Sequence, residues 1–151
     1  MSNTHRQSDR PTPVLETDPR FKSGRYRGFY LQFGRRSAQE MTLTFVDGRA
    51  SGWGCDPTGR FDVTGTYDTE RGRALWTKHY PGRHTVHYDV TAEMNNGLWG
   101  LWQIRGFFGD RGGFQLWPVG GPGEAASKNA EADAPANESS ESRELVQAGT
   151  Q

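Results

Sequence analysis

The sequence predicts an all-β fold: an eight-stranded antiparallel up-and-down barrel with disordered N- and C-terminal arms. Three observations carry that reading. From Gly24 to Pro118 a strand-like run is followed by a turn signal about every twelve residues. The links are short, and short links force antiparallel neighbours because a parallel crossover needs roughly a dozen residues or more. Seventeen of the eighteen aromatic residues lie in that span, so the apolar surface available for a core is concentrated there.

The runs follow in order. The first is Gly24 to Gly34 (GRYRGFYLQFG). Asp47-Gly48 closes a hairpin between MTLTFV and RASGWGC, and Asp-Gly is among the strongest short hairpin signals. A two-residue loop there sets Phe45 opposite Ala50, Leu43 opposite Gly52 and Met41 opposite Gly54, so large residues meet small ones. Phe61, Val63, Gly65 and Tyr67 continue that face, while Thr42, Thr44, Ser51, Asp62, Thr64 and Thr66 form a wet outer face. Asp56-Pro57-Thr58-Gly59 makes the next turn before RFDVTGTY. Asp68 to Gly72 leads into ALWTKHYPGRHTVHY, a hairpin whose Pro81-Gly82 supplies the turn chemistry. A three-residue loop pairs Tyr80 with His84 and puts Trp76, Lys78, Tyr80, His84, Val86, Tyr88 and Val90 on one face. Asn95-Asn96-Gly97 precedes LWGLWQIR, and Gly109 to Gly113 forms the last turn before FQLWP.

An eight-strand meander exposes two edges unless it closes. Eight strands enclose an interior that side chains fill or that holds one small ligand. Glycines inside the runs (Gly28, Gly52, Gly54, Gly65, Gly100) fit closure better than a two-sheet sandwich, the alternative architecture. The run from Leu98 to Ile104 has apolar residues on both faces: Leu98, Trp102 and Ile104 on one, Trp99 and Leu101 on the other. Trp53 and Trp117 also read as outward. Such faces ask for a cover, which a homodimer or larger assembly, or a tail or loop folding over the patch, would supply.

Domain organisation follows composition: an arm over 1–22, a barrel over 23–118 and an acidic tail over 119–151. The tail has no aromatics and six acidic residues against two basic ones. The barrel span carries twelve basic residues against nine acidic ones. Neither balance points to nucleic acid or an anionic membrane. Arg25, Arg27, Arg35 and Arg36 make a small basic cluster that reads as a solvated turn. Cys55 is the only cysteine, which excludes an intrachain disulfide and a four-cysteine metal site. No apolar run approaches the roughly 18 residues of a membrane-spanning helix, and no apolar leader opens the chain. A cytoplasmic setting is therefore expected.

The candidate site is the interior at the central hairpin. Tyr30, Gln32, Trp76, Lys78, Tyr80, His84, Tyr88 and Trp102 are the expected ligand-binding residues. Aromatic walls with a few convergent polar groups describe a small-molecule pocket. Lys78 is the only lysine between Lys22 and Lys128. A buried lysine needs an anionic ligand, an internal acid or a position at the barrel mouth; snorkelling at the rim among core tyrosines is the competing arrangement. His79, His84 and His87 do not make a metal site, because His84 and His87 fall on opposite strand faces. No nucleophile elbow, phosphate loop or paired carboxylates are present. No cofactor or catalytic residue is assigned. The function expected is binding of an unidentified small molecule at the barrel mouth. The alternative is a filled barrel serving as an interaction or oligomerisation module through outward Trp53, Trp102 and Trp117.

Gly65-Thr66-Tyr67-Asp68, then Trp76, Lys78, Tyr80, His84, Tyr88 and Trp102, with the opening Gly24-Arg25-Tyr26, resemble the calycin barrels, and within them the avidin type. The resemblance implies an up-and-down barrel with one open end, in an oligomeric assembly. Avidin-like proteins hold biotin through an Asn and a Ser after the first strand, small hydroxyl residues on the sixth and a late Asp. Here those places carry Gln32 and Arg35, then His84 and Val86, and no clear Asp, so biotin binding is not implied. The chain also looks like small bacterial domains that end in a GGFxLWP-type strand, a likeness that implies fold alone.

Overall fold

The computed structural model describes residues 13–105, 110–121 and 123–124. Eight strands run in chain order: β1 (Gly24–Gln32), β2 (Arg35–Val46), β3 (Arg49–Asp56), β4 (Gly59–Asp68), β5 (Arg73–His79), β6 (Thr85–Glu93), β7 (Gly97–Gln103) and β8 (Arg111–Pro118). Each pairs antiparallel with the next, and β1 closes on β8 from Tyr26 opposite Pro118 to Tyr30 opposite Phe114. The result is a closed barrel with no free edge.

Turn chemistry sets the registers. Asp47 and Gly48 both take positive φ (49° and 77°), as the tight turn between β2 and β3 requires. Phe45 then faces Ala50, Leu43 faces Gly52 and Met41 faces Gly54. The β5–β6 hairpin has the three-residue loop: the Tyr80 amide donates to the His84 carbonyl and the Arg83 amide to that of Tyr80. Glycine is obligatory at Gly65. A Cβ there would sit 2.1 Å from the Leu75 carbonyl oxygen and 2.5 Å from Trp76 Cα, so the β4 backbone passes flush against β5.

Alternation puts Met41, Leu43, Phe45, Phe61, Val63, Trp76, Val86, Tyr88, Val90, Leu98, Trp102, Phe114 and Leu116 into one interior cluster. In β7 the inward set is Leu98, Gly100 and Trp102; Trp99 and Leu101 face out. Trp102 is therefore interior, which removes it from the outward trio expected above. Trp117 does face outward, beside Phe29, yet it is buried. Gly123 passes so close that a Cβ there would lie 2.7 Å from Trp117 Cδ1. Residues at the start of the span read as an acidic tail thus cover the barrel wall.

The other boundaries shift too. β2 begins at Arg35, so Arg35 and Arg36 lie in a strand rather than a turn, and β8 already includes Gly112 and Gly113. Glu40 pairs with both Arg25 (3.1 Å) and Arg27 (3.2 Å), and the Arg36 guanidinium stacks over Phe29. Residues 13–22, read with the arm, dock on the barrel. Leu15 bridges Val46, and the Glu16 amide donates to the Phe45 carbonyl. Asp18 caps a 3₁₀ turn over Pro19–Phe21. That turn drives Phe21, wholly buried, against Phe45 and Tyr67. The disorder expected for 1–12 and 125–151 falls outside the described residues.

Connectivity then gives the barrel two unlike ends. Phe21 plugs the end that carries the β2–β3, β4–β5 and β6–β7 turns. The opposite end carries the β1–β2, β3–β4 and β5–β6 turns, and the candidate site lies there.

Candidate functional site

The site is assembled by two-residue periodicity. Inward positions on β3 are Ala50, Gly52, Gly54 and, at the strand's last residue, Asp56. Inward positions on β2 run back from Met41 to Gln39. On β5 the same parity carries Trp76 and Lys78 inward. Lys78 and Asp56 therefore converge below the open rim from strands separated by β4.

Lys78 Nζ donates to Asp56 Oδ2 at 2.7 Å, to Gln39 Oε1 at 3.0 Å and to Tyr88 Oη at 3.3 Å. Its side chain is 2% exposed and that of Asp56 is 0% exposed. Four aromatic faces surround the ammonium: Phe61 at 4.1 Å, Tyr30 at 5.4 Å, and Tyr80 and Tyr88 at 5.5 Å. Asp56 is held in turn: its Oδ1 accepts the Thr58 amide at 2.8 Å, and its Oδ2 also accepts the Tyr80 hydroxyl. The turn residue Asp56 thus does two jobs. One oxygen shapes the Pro57-Thr58 hairpin and the other neutralises the lysine.

Burial perturbs Lys78, Tyr80 and Tyr88. Desolvation pulls the Lys78 pKa below the ordinary lysine value, and the Asp56 charge offsets part of that pull. Desolvation raises the Tyr80 phenol, and its bond to Asp56 raises it further. Tyr88 is raised first by desolvation and then by the Asp56 charge. Tyr80 and Tyr88 are hydrogen-bonding phenols at any physiological pH.

Above this cluster is a cavity of about 300 Å³ lined by Tyr30, Gln32, Thr58, Lys78, Tyr80, His84, Val86, Tyr88, Trp102, Ile104 and Asp110. Seven of the eight candidate residues line it. Tyr30, Lys78, Tyr88 and Trp102 form its inner part, with the Trp102 indole donating to the Leu31 carbonyl at 3.1 Å. His84 is exposed at the rim, its ring 5.1 Å from that of Tyr80. Gln32 also stands at the rim and donates to Asp110 at 3.4 Å. Trp76 is set apart from them: it stacks on Tyr88 with ring centroids 6.2 Å apart and does not line the cavity. Its indole Nε1 is buried with no partner among the described residues.

Asp56 and Gln39 are the site residues that sequence reasoning missed, and parity was the available signal for both. Asp56 reads from sequence as a turn residue, and the apolar alternation that marks β2 begins only at Met41, two residues past Gln39. Among the described residues, no group of three or more His, Cys, Asp or Glu side chains is placed to hold a metal ion. No helix there is long and apolar enough to cross a membrane. No family model, curated protein or solved structure matches the chain, so the avidin-type and bacterial-domain resemblances gain nothing beyond the shared closed antiparallel barrel.

Proposed function

We propose that this chain is a small-ligand-binding β-barrel whose site is the cavity at its open end. One observation carries the reading: the interior is packed at the Phe21 end and leaves about 300 Å³ at the other, walled by aromatic rings and convergent polar groups. Tyr30, Gln32, Lys78, Tyr80, His84, Tyr88 and Trp102 are its contact residues, with Asp56 and Gln39 holding Lys78 in place. Trp76 supports Tyr88 from below. The role is binding rather than catalysis. The proposed setting is the cytoplasm, on the single cysteine.

The test is a thermal-shift and intrinsic-fluorescence screen of the full chain against small metabolites, repeated on Ile104→Trp. Ile104 stands half-buried in the cavity wall, so the larger ring occupies ligand space without disturbing the ion pair. A ligand that stabilises the native chain and loses its effect in Ile104→Trp supports the proposal. A broad screen with no such ligand refutes it.

A second reading, an interaction surface, rests on a different observation. Trp53, Leu75 and Leu101 are 58%, 60% and 54% exposed on the outer wall. Leu75 and Leu101 flank Asp89 on adjacent strands. Sedimentation at micromolar concentration decides it: a dimer or larger species favours an assembly face, and a monomer removes it.

A further inference from the structure

The cavity's hydrogen-bond inventory says what its occupant carries, an inference that rests on reading the cavity as a ligand site. Lys78 has three N–H groups and directs them at Asp56, Gln39 and Tyr88. Asp56 accepts from Lys78, Tyr80 and the Thr58 amide. The Gln39 amide nitrogen donates to the Phe29 carbonyl at 3.2 Å. Ammonium, carboxylate, amide and the Tyr80 hydroxyl are thus committed to one another, and the charges cancel.

Two donors are left over. Tyr88 accepts from Lys78, so its own O–H hydrogen has no acceptor among the described residues. The Tyr30 hydroxyl has no partner there at all. Both rings lie about equally far from the ammonium, at 5.5 and 5.4 Å, and both line the cavity. A hydroxyl that accepts a bond from an ammonium is polarised and donates more strongly. Burial keeps Tyr88 in its protonated, donating form.

A carboxylate ligand would meet no uncommitted cation, because Lys78 is already neutralised, and would pass Asp110 at the rim. A cationic ligand would face donors and a buried ammonium. The complement of two O–H donors with no net charge is a neutral acceptor. Trp102, Val86 and Ile104 supply apolar walls for the rest of the molecule.

We infer that the cavity takes a neutral, flat, largely apolar molecule bearing a carbonyl oxygen, of the aryl-ketone or enone class, with that oxygen accepting from Tyr88 and Tyr30. The carbonyl makes these bonds at little desolvation cost, while a shape-matched molecule without it covers two donors and leaves them unmet.

The experiment compares two probes of the same shape, acetophenone and α-methylstyrene, in which C=CH₂ replaces C=O. Binding to the full chain is followed by NMR shifts of the Trp102 indole, and the carbonyl stretch of bound acetophenone by infrared difference spectroscopy. The inference expects acetophenone to bind at least about tenfold more tightly, the gap that one unmet hydrogen bond produces. It also expects the stretch to fall in frequency. Tyr88→Phe and Tyr30→Phe should each shrink the preference, by weakening acetophenone and by relieving α-methylstyrene of an unmet donor. Tyr30→Phe removes a hydroxyl that bonds nothing in the described structure, so it reports even if Tyr88→Phe loosens the fold. Equal affinities, or a preference that survives both substitutions, overturn the carbonyl assignment and leave the cavity as a ligand site. If neither probe binds but a ligand sensitive to Ile104→Trp does, the class is again overturned. If no ligand of any class binds, the proposed function itself falls.

Discussion

Replacing Lys78 tests the centre of the structure most directly. At 2.7 Å the attraction between Lys78 and Asp56 is about 6 kcal/mol for an effective dielectric near 20. Desolvation consumes much of that, so the pair's net contribution is far smaller. The asymmetry decides the outcome. In Lys78→Met the Asp56 carboxylate stays behind, 0% exposed, with only the Tyr80 hydroxyl and the Thr58 amide to satisfy it. Breaking a buried pair in this way costs about 3–5 kcal/mol, a large share of a typical domain stability of about 5–15 kcal/mol. At about 4–8 °C per kcal/mol for a domain of this size, the melting temperature falls by at least about 12 °C. Asp56→Asn keeps an acceptor for Tyr80 and Thr58, and the lysine left behind can shed its proton, so this variant costs less. The double variant carries no stranded charge and is expected to be more stable than Lys78→Met alone. Urea unfolding of the wild type, both singles and the double closes the cycle. If Lys78→Met costs under about 1 kcal/mol, or the two single effects simply add, the ammonium is solvated and the account of the interior is wrong.

Two further outcomes follow from the same interior. Tyr26, Tyr80 and Tyr88 have folded pKa values raised chiefly by burial. Their contribution to stability is complete below the unfolded phenol value of about 10 and is lost as pH climbs above it. In an alkaline titration their tyrosinate absorbance should therefore appear together with loss of the near-ultraviolet circular dichroism; ionisation of all five tyrosines at constant dichroism would contradict the burial. Phe21→Ala empties the plug and is expected to cost about 3–5 kcal/mol in urea unfolding. A loss under about 1 kcal/mol would mean that the turn at Pro19–Phe21 does not dock.

Much of the barrel was legible because its signals are local. Asp47-Gly48 sets a register by itself, and Pro81-Gly82 with Arg83 separates an aromatic face from a polar one. Lys78 could be placed inside from parity alone. Asp56 was harder because two rules compete for it: Asp-Pro-Thr-Gly reads as a turn, while the count from Ala50 through Gly52 and Gly54 reads as an inward strand position. The structure satisfies both. Gln39 was lost because Arg35 to Glu40 lacks apolar alternation, so nothing marked the first half of β2. Phe21 sat among charged residues and prolines, where its neighbours hid it, although Asp18-Pro19 already carried the cap-and-proline signature of a helical turn. The cover over Trp117 depends on a contact between β8 and residue 123, and no periodic pattern records a contact of that kind.

Because one end is stoppered by an aromatic ring, the barrel is a blind vessel. Whatever enters past His84 and Gln32 must leave by the same doorway, so a second guest cannot push the first through from behind. Exchange is then governed by how far the β1–β2, β3–β4 and β5–β6 turns at that doorway yield. A macromolecule seated across it would imprison the contents without touching them.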